Sequence, residues 1–280
     1  MFNFLKKKIG IIGYGNMGSA IAEGLKAKYA VGVFDKDKNK IFGLENINVF
    51  DNPTDLVKES EIIILAIKPQ DFAGLLSEIK FFAQNKLLIS IAAGITIDYI
   101  EKILGKVRVV RCMPNIAVKI LEAETSICLG SDVKKSDLES VEKLFNLLGK
   151  TWKIKEDLID SVTAISGSGP AYILYDLEIN KLDPLKIPTK FERAWIASLK
   201  EAAMGLGIDW KMAFDLATST TASTIHLIKQ TNYSPAQLRK MITSAGGTTE
   251  AALQVIINGG SWSQAAVAAK QRAQELSKRE

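Results

Sequence analysis

Residues 8–19 read KIGIIGYGNMGS, and this stretch decides the fold of the first part of the chain. The apolar run 9–12 is typical of a buried strand, and an alanine-rich helical pattern follows the glycines directly. A G-x-G-x-x-G sequence between a strand and a helix indicates a dinucleotide-binding turn, because glycine permits the sharp turn and a close approach of the backbone to a pyrophosphate. The alternative is a glycine-rich turn that binds nothing. The predicted cofactor contacts in this turn are Gly13, Gly15, Asn16, Met17 and Gly18.

The composition is that of an ordinary globular protein. The chain has 280 residues, 47% hydrophobic and 24% charged, which suits one large domain or two ordinary ones. The net charge of +5 is small, and no aromatic residues on which bases could stack are interleaved with Lys6-Lys7-Lys8. We therefore expect no nucleic-acid partner.

Three features predict a cytoplasmic location. Cys112 and Cys128 form neither a disulfide framework nor a metal-ligand spacing, which favours reduced thiols. Phe2 and Phe4 precede the first lysines, the reverse of the order in a signal peptide. The longest apolar run, 62–67, is too short to span a bilayer, so no membrane partner is expected.

Strand-like and helical patterns alternate through the first half of the chain. The strand-like stretches are residues 9–12, 29–34, 47–50, 62–67, 87–91, 107–110, 125–129 and 151–154. This alternation predicts an α/β fold with an N-terminal Rossmann domain over residues 1–157. Because ligands bind at the carboxyl ends of parallel strands, Lys68-Pro69, Ala92-Ala93-Gly94 and Pro114-Asn115 are expected to converge on the cofactor.

Asp35 ends the second predicted strand, ~20 residues past the glycines, where a carboxylate usually binds the adenosine ribose 2′-hydroxyl. This position favours NADH. Lys36 follows directly and suits the 2′-phosphate of NADPH, so both cofactors stay open and NADH is preferred. The alternative for Asp35 is an ordinary turn residue.

From about residue 158 the pattern becomes helical, which predicts an all-α second domain over residues 158–280. Asp209 is expected to cap a helix, and Ser234 and Ser261 each stand three residues before a glutamine, as in a capping box. Residues 166–172, SGSGPAY, are expected to form a loop that enters a helix. The small residues of 217–224 suit close packing against a helix of this chain or of another subunit.

Residues 244–249, SAGGTT, have the composition of an anion-binding loop, called the glycine–threonine loop below. Two glycines and three hydroxyl residues precede an apolar helical pattern. Free N–H groups at a helix start, with nearby hydroxyls, bind carboxylate or phosphate groups. A simple capping turn needs fewer such residues, so we expect a bound anion here.

His226 is the only histidine and falls inside a predicted helix. A single histidine cannot build a His-based metal cluster, and no Ser-His-Asp arrangement is expected around it. We interpret it as a partly buried helix residue and expect no metal site.

Taken together, these motifs resemble those of the pyrroline-5-carboxylate reductases, the family that completes proline biosynthesis. GYGNMGSA is shared with many enzymes, and AIKPQ, ISIAAGI and RCMPN narrow the resemblance. VTAISGSGPAY at 162–172 and ITSAGGTTEAAL at 242–253 are far more specific and occur in the family's order. The resemblance spans about residues 8–278.

The resemblance implies NAD(P)H-dependent reduction of the C=N bond of 1-pyrroline-5-carboxylate, a small imine carboxylate, to L-proline. It implies a C-terminal dimerisation domain that forms a homodimer or a larger homo-oligomer. The implied substrate-binding residues are Ser244, Gly246, Gly247, Thr248 and Thr249. Thr249 is also implied to lie near the ring nitrogen as the catalytic residue, with the proton donor left open between Thr249, water and an already protonated imine. The further implied cofactor contacts are Ala66, Lys68, Pro69 and, near the nicotinamide, Asn115.

Several positions depart from the family pattern. Ile116-Ala117 replace Thr-Pro, Leu121-Glu122-Ala123 replace Gly-x-Gly, Ala245 replaces proline, His226 stands where lysine is common, and Glu250 adds a negative charge beside the expected carboxylate site. Extra residues near 177–194, including Pro184 and Pro188, are expected to form a loop or a broken helix.

These departures leave open a paralogue that reduces another cyclic imine, or that binds a dinucleotide without catalysis. A second alternative is a 3-hydroxyacid dehydrogenase, because that class shares the glycine fingerprint and the helical second domain. It places a catalytic lysine on the helix after its second glycine motif. Residues 171–176 contain no lysine, which argues against alcohol oxidation.

Overall fold

The computed structural model describes residues 6–278, and the chain divides into two units. The first unit comprises the chain up to Cys112 together with Thr125–Glu156. The second comprises Met113–Glu124 and the chain from Asp157 onward. The segment Met113–Glu124, which the sequence placed in the first domain, therefore packs with the second unit, and its Ile116, Ala117 and Val118 are buried there.

An eight-stranded sheet in the order β3-β2-β1-β4-β5-β6-β7-β8 organises the first unit. Its strands are β1 Lys8–Ile12, β2 Ala30–Phe34, β3 Asn48–Val49, β4 Ile62–Leu65, β5 Leu87–Ser90, β6 Arg108–Pro114, β7 Ala123–Leu129 and β8 Gly149–Lys153. Strands β1 to β6 pair in parallel, with Ile9 of β1 opposite Val31 and Ile62 on its two sides. The predicted α/β Rossmann fold is confirmed, with β6 longer and β3 shorter than the sequence patterns indicated.

The first unit places helices between its strands. They are α1 Asn16–Leu25, α2 Pro53–Glu59, α3 Phe72–Ile79, α4 Ile97–Leu104 and α5 Lys135–Phe145. β4 and β5 are buried along their whole length, as expected for parallel strands covered on both faces. Their carboxyl ends, and that of β1, therefore lie side by side at one edge of the sheet.

The second unit is helical. Its helices are α6 Ile159–Val162, α7 Gly169–Ile179, α8 Thr189–Gly205, α9 Trp210–Gln230, α10 Pro235–Ile242, α11 Thr248–Ile257 and α12 Trp262–Lys278. The expected caps are confirmed: Asp209 accepts the Met212 N–H at 3.1 Å, and Ser234 forms a reciprocal capping box with Gln237. The box at Ser261 forms in the same way.

Residues 166–172 do not form the loop that the sequence suggested. The chain continues from α6 into a π-helical turn, Thr163–Gly167, called the π turn below, and then into α7. The Ser168 N–H donates to the Thr163 carbonyl at 3.0 Å, the wide spacing of a π-helix. Glycine–proline composition suggested an open loop, but buried packing keeps this segment helical.

The extra residues near 177–194 form the end of α7, a short connection and the start of α8. The Trp195 Nε1–H of α8 donates to the Asp176 Oδ2 of α7 at 2.8 Å, which fastens the two helices together. Gly169 lies close to α8, since a Cβ there would lie 3.0 Å from the Leu199 side chain, a tight contact. The small-residue tract of α9 also packs within this chain, because Thr220 and Thr221 are fully buried.

Within residues 6–278, no helix is both long and apolar enough to cross a membrane.

Candidate active site

The glycine turn, residues 13–18, has the close packing that a dinucleotide fingerprint requires. Gly13 has a φ of +101°, and a Cβ there would lie 2.5 Å from the Ala66 carbonyl oxygen. A Cβ on Gly18 would lie 2.0 Å from the Gly13 carbonyl oxygen. Ala66, an expected cofactor contact, is therefore placed directly against Gly13 and Gly18.

Gly15 differs from its two neighbours in the motif. No atom lies within 4 Å of a Cβ built on it, so open space faces the backbone at this point. Gly15 is the N-cap of α1, and both Gly15 and Asn16 are exposed, with Met17 partly so. The N-terminus of a ten-residue helix is its positive end, which suits a pyrophosphate. The open space beside Gly15 would let the pyrophosphate approach the backbone closely.

Asp35 is turned toward the glycine turn. Its side chain is 7% exposed, its Oδ2 accepts the Tyr14 N–H at 2.7 Å, and its Oδ1 accepts the Asp37 N–H at 2.8 Å. Lys40 Nζ lies 3.6 Å from the same carboxylate. The carboxylate is thus held in place at the end of β2, beside the turn that the dinucleotide would occupy.

Lys36 is held by a different acid. Its Nζ lies 2.8 Å from Asp71 Oδ1 and 2.9 Å from Oδ2. Asp71 ends the short helical turn that follows Lys68, so this ion pair joins the ends of β2 and β4. Lys68 is exposed and Pro69 partly buried, at the same carboxyl edge as the glycine turn.

In the second unit, the glycine–threonine loop is a tight turn that leads into α11. Gly246 has a φ of +67°, and the Gly247 N–H donates to the Ser244 carbonyl at 3.0 Å. Two side chains outside the loop hold its centre: the Gly246 N–H donates to Glu250 at 2.8 Å, and Arg272 Nε–H donates to the Gly246 carbonyl at 2.8 Å. The sequence indicated that Glu250 would place a negative charge beside the bound carboxylate. In the structure its carboxylate instead accepts a hydrogen bond from the Gly246 N–H of the loop.

Thr248 and Thr249 form the buried first turn of α11, and they are 8% and 5% exposed. The Thr249 hydroxyl lies 3.0 Å from the hydroxyl of Ser168, which is fully buried between the π turn and α7. The Tyr172 hydroxyl, four residues along the chain in α7, donates to the Ala164 carbonyl at 3.1 Å. Burial raises the pKa of Tyr172 well above its usual range, so Tyr172 stays protonated at neutral pH.

Asn115 lies in the second unit, and its side chain holds the backbone around it. Its Oδ1 accepts the N–H groups of Ala117 and Glu124, and its Nδ2 donates to the Ser166 carbonyl at 3.1 Å. The side chain is buried, and these bonds fix the segment Met113–Glu124 on the π turn. The structure does not place Asn115 in the same unit as the glycine turn.

Two of the departures from the family pattern contact each other. His226 Nδ1 lies 2.7 Å from Glu122 Oε2, and the His226 side chain is 51% exposed. His226 lies on a helix, as predicted, but the prediction that it is partly buried is wrong, because its side chain is exposed and pairs with Glu122 at the surface. This contact joins α9 to the segment that carries Asn115. Among residues 6–278, no group of three or more His, Cys, Asp or Glu side chains is arranged to hold a metal ion.

Comparisons with known proteins identify the family. A family model described as NADP oxidoreductase, coenzyme F420-dependent, matches residues 8–94, and one described as pyrroline-5-carboxylate reductase dimerisation matches residues 192–276. A pyrroline-5-carboxylate reductase of Methanosarcina acetivorans is 33% identical over 98% of this chain and 99% of its own length. The chain belongs to the pyrroline-5-carboxylate reductase family.

Solved structures of this family agree with the fold. A pyrroline-5-carboxylate reductase from Coxiella burnetii is 30% identical and superposes with a TM-score of 0.64 over 97% of this chain and 99% of its own. A Plasmodium falciparum pyrroline carboxylate reductase with NADP bound is 27% identical, with a TM-score of 0.62 over 97% and 98% of the two chains. Like other members of the family, the chain is an NAD(P)-dependent oxidoreductase acting on a CH–NH group.

Three residues around the candidate site were not predicted from the sequence. They are Ser168, Tyr172 and Arg272. The pattern S-G-S-G-P gave no indication which serine faces Thr249, because that choice depends on the π turn. Arg272 lies 26 residues from Gly246 in the sequence, and only the packing of α12 on α11 brings them together.

Proposed function

We propose that this reductase transfers a hydride from NAD(P)H to the C=N carbon of 1-pyrroline-5-carboxylate and releases L-proline. The observation that carries the proposal is the buried Thr249 hydroxyl in the first turn of α11, directly after the tight turn at Gly246-Gly247. Near-full-length identity of about 30% with named reductases supports it. An apolar substrate has no group that would bind the N–H groups at this helix start. An imine carboxylate has an anionic group that would bind them and a ring nitrogen that would hydrogen-bond the Thr249 hydroxyl.

The glycine–threonine loop is proposed to bind the substrate carboxylate. The N-terminal N–H groups of α11 provide a positive dipole end, and the hydroxyls of Ser244, Thr248 and Thr249 add donors. Arg272, which is ion-paired with Glu275 at 2.7 Å, and Glu250 both hold the Gly246 backbone, so they fix the shape of the loop. With the carboxylate bound there, the ring nitrogen is placed to reach the Thr249 hydroxyl.

The glycine turn is proposed to bind the dinucleotide through Gly13, Gly15, Asn16, Met17 and Gly18. Ala66, Lys68, Pro69 and the region of Asn115 are the further proposed contacts. When bound, the reduced nicotinamide supplies the hydride. The chain's own task is to position the substrate within about 3–3.5 Å of the hydride donor and to exclude water.

The reduction adds one hydride to carbon and requires one proton on nitrogen. If the imine binds in its protonated form, the nitrogen already carries that proton and Thr249 only accepts a hydrogen bond from it. If the imine binds neutral, the nitrogen takes a proton from the Thr249 hydroxyl or from water as the hydride arrives on carbon, and water returns the proton to Thr249 where Thr249 has given it up. The Thr249 hydroxyl can hydrogen-bond the ring nitrogen in either case, because a hydroxyl is both a donor and an acceptor.

The proposal is tested by following oxidation of NADH and of NADPH with 1-pyrroline-5-carboxylate, and by identifying L-proline as the product. We expect turnover with at least one cofactor. A folded preparation that binds the dinucleotide but oxidises neither cofactor would contradict the proposal and favour a non-catalytic paralogue.

We further propose NADH as the preferred cofactor. The Asp35 carboxylate is held in place at the end of β2, where it repels a 2′-phosphate, and the Lys36 charge is offset by Asp71. Asp35→Ser is expected to raise the ratio of NADPH to NADH kcat/KM by about tenfold, because like charges placed together are costly. Lys36→Gln is the control, because the Lys36 charge is already paired with Asp71. This substitution should change the ratio of NADPH to NADH kcat/KM little. A wild-type enzyme that already prefers NADPH strongly would contradict this assignment.

We also propose that the chain forms a homodimer, or a larger homo-oligomer, through its C-terminal helices, since the dimerisation model matches residues 192–276. Light scattering at several concentrations would test it, and a monomer at micromolar concentration would contradict it. The cytoplasmic location stays a prediction.

A further inference from the structure

The hydroxyls around the π turn divide into two kinds. Those of Ser161, Thr163 and Ser166 each donate to a main-chain carbonyl, on Leu206, Ile159 and Val162 respectively. The Ser168 hydroxyl instead meets another side-chain hydroxyl, that of Thr249, at 3.0 Å. Both oxygens are buried, so water does not compete for this bond.

The position of Ser168 is held from several sides. Its N–H donates to the Thr163 carbonyl across the π turn, and the adjacent Gly169 packs closely against Leu199. Tyr172, whose ring packs edge-on against Trp262, holds the Ala164 carbonyl on the other side of the turn. A π-helical insertion is costly in regular helix geometry and occurs often at functional sites. Here it turns one serine toward α11.

We propose that Ser168 is a positioning residue for Thr249, which sets the direction in which the Thr249 hydroxyl points its proton. This inference rests on the proposed function, since it gives Thr249 a bond to the substrate ring nitrogen. Ser168 itself touches Thr249 and not the reacting atoms.

The contact between Ser168 and Thr249 joins two hydroxyls, so one of them donates and the other accepts. When Ser168 donates to Thr249, the Thr249 proton is free to point at a neutral ring nitrogen. When Thr249 donates to Ser168 instead, Thr249 offers the substrate only lone pairs, which suits a protonated imine.

Two ligands separate this role from a structural one without any turnover. Tetrahydrofuran-2-carboxylate carries an ether oxygen, an acceptor, where the substrate has its ring nitrogen, and cyclopentanecarboxylate carries a carbon there. Calorimetric titration with oxidised cofactor present should show the ether bound about fivefold more tightly than the carbocycle by the wild-type enzyme, because Thr249 donates to it. In Ser168→Ala this ratio should fall to about one, with the affinity for the carbocycle unchanged.

Ser161→Ala is the matched control, because it removes another fully buried serine hydroxyl in the same segment. It should leave the ratio at about fivefold, the wild-type value expected for one hydrogen bond. A double-mutant cycle adds a kinetic readout: Ser168→Ala should lower kcat/KM in the wild-type background and have no further effect in a Thr249→Val background. If Ser168→Ala fails to fold, Ser168→Cys keeps the size with a weak thiol donor, and the same comparison applies.

The outcomes separate the inference from the proposed function. If the wild type binds neither carboxylate, the proposed substrate class is wrong and this inference with it. If the wild type binds both equally, or if Ser168→Ala keeps the fivefold ratio, the positioning role is wrong while the proposed function stands. Independent effects of the two substitutions in the cycle would also overturn the inference.

Discussion

Replacing Gly18 with alanine should abolish dinucleotide binding and lower the free energy of unfolding by about 1–3 kcal/mol. A Cβ at this position would lie 2.0 Å from the Gly13 carbonyl oxygen, which is main chain and cannot rotate away. Relief requires α1 to move off β1, and that movement changes the N-terminal N–H groups on which the pyrophosphate is proposed to bind. Titration of NADH fluorescence and urea denaturation measure the two effects.

Two other glycines provide controls for this prediction. Gly74 in α3 has no atom within 4 Å of a built Cβ, so Gly74→Ala should keep dinucleotide binding and raise the free energy of unfolding by up to about 1 kcal/mol. Gly15 has the same open surroundings but lies at the proposed pyrophosphate, so Gly15→Ala should weaken dinucleotide binding and leave stability unchanged. A Gly18→Ala protein with wild-type stability would mean that α1 and β1 are less tightly packed than described.

Replacing Thr249 with valine should lower kcat/KM for 1-pyrroline-5-carboxylate by about 100-fold, the order expected for removing one aimed hydrogen bond from a buried site. Valine keeps the branched shape of this 5%-exposed side chain and removes only the hydroxyl. The dissociation constant for NADH should not change, because Thr249 is proposed to contact the substrate. Steady-state kinetics and a cofactor titration measure the two quantities.

Thr163→Val is the matched substitution for Thr249→Val. Thr163 is also 5% exposed, and its hydroxyl donates to the Ile159 carbonyl within α6. Thr163→Val should lower the free energy of unfolding, because it removes a buried hydrogen bond, and should leave kcat/KM close to the wild-type value. An equal loss of activity in both variants would indicate a general disturbance and remove Thr249 from the catalytic role.

Local signals predicted much of the fold. The glycine turn, the buried strands and the helix caps at Asp209, Ser234 and Ser261 are each signalled by residues within a few positions of one another in the sequence. Such features follow from turn geometry, apolar periodicity and capping chemistry, which a sequence displays directly.

The parts that were missed depend on distant packing. Ser168 and Thr249 are 81 residues apart, and Glu122 and His226 are 104 apart. The π turn breaks the regular helical period, so a periodicity argument interprets it as a loop. Asp35 lies beside the glycine turn, and its hydrogen bond to the Tyr14 N–H could not be anticipated from its spacing in the sequence. How its charge acts on cofactor choice stays a prediction.

The chain passes between the two units at residues 112–113, 124–125 and 156–157, so two separate parts of the gene encode the second unit. If recombination between two related genes exchanges only the sequence after residue 156, the helices come from one parent and the segment Met113–Glu124 comes from the other. The Asn115 amide and the Ser166 carbonyl that it binds would then come from different parents. We expect successful natural or engineered chimaeras to exchange residues 113–124 together with the C-terminal helices, so the heritable module is discontinuous in the gene.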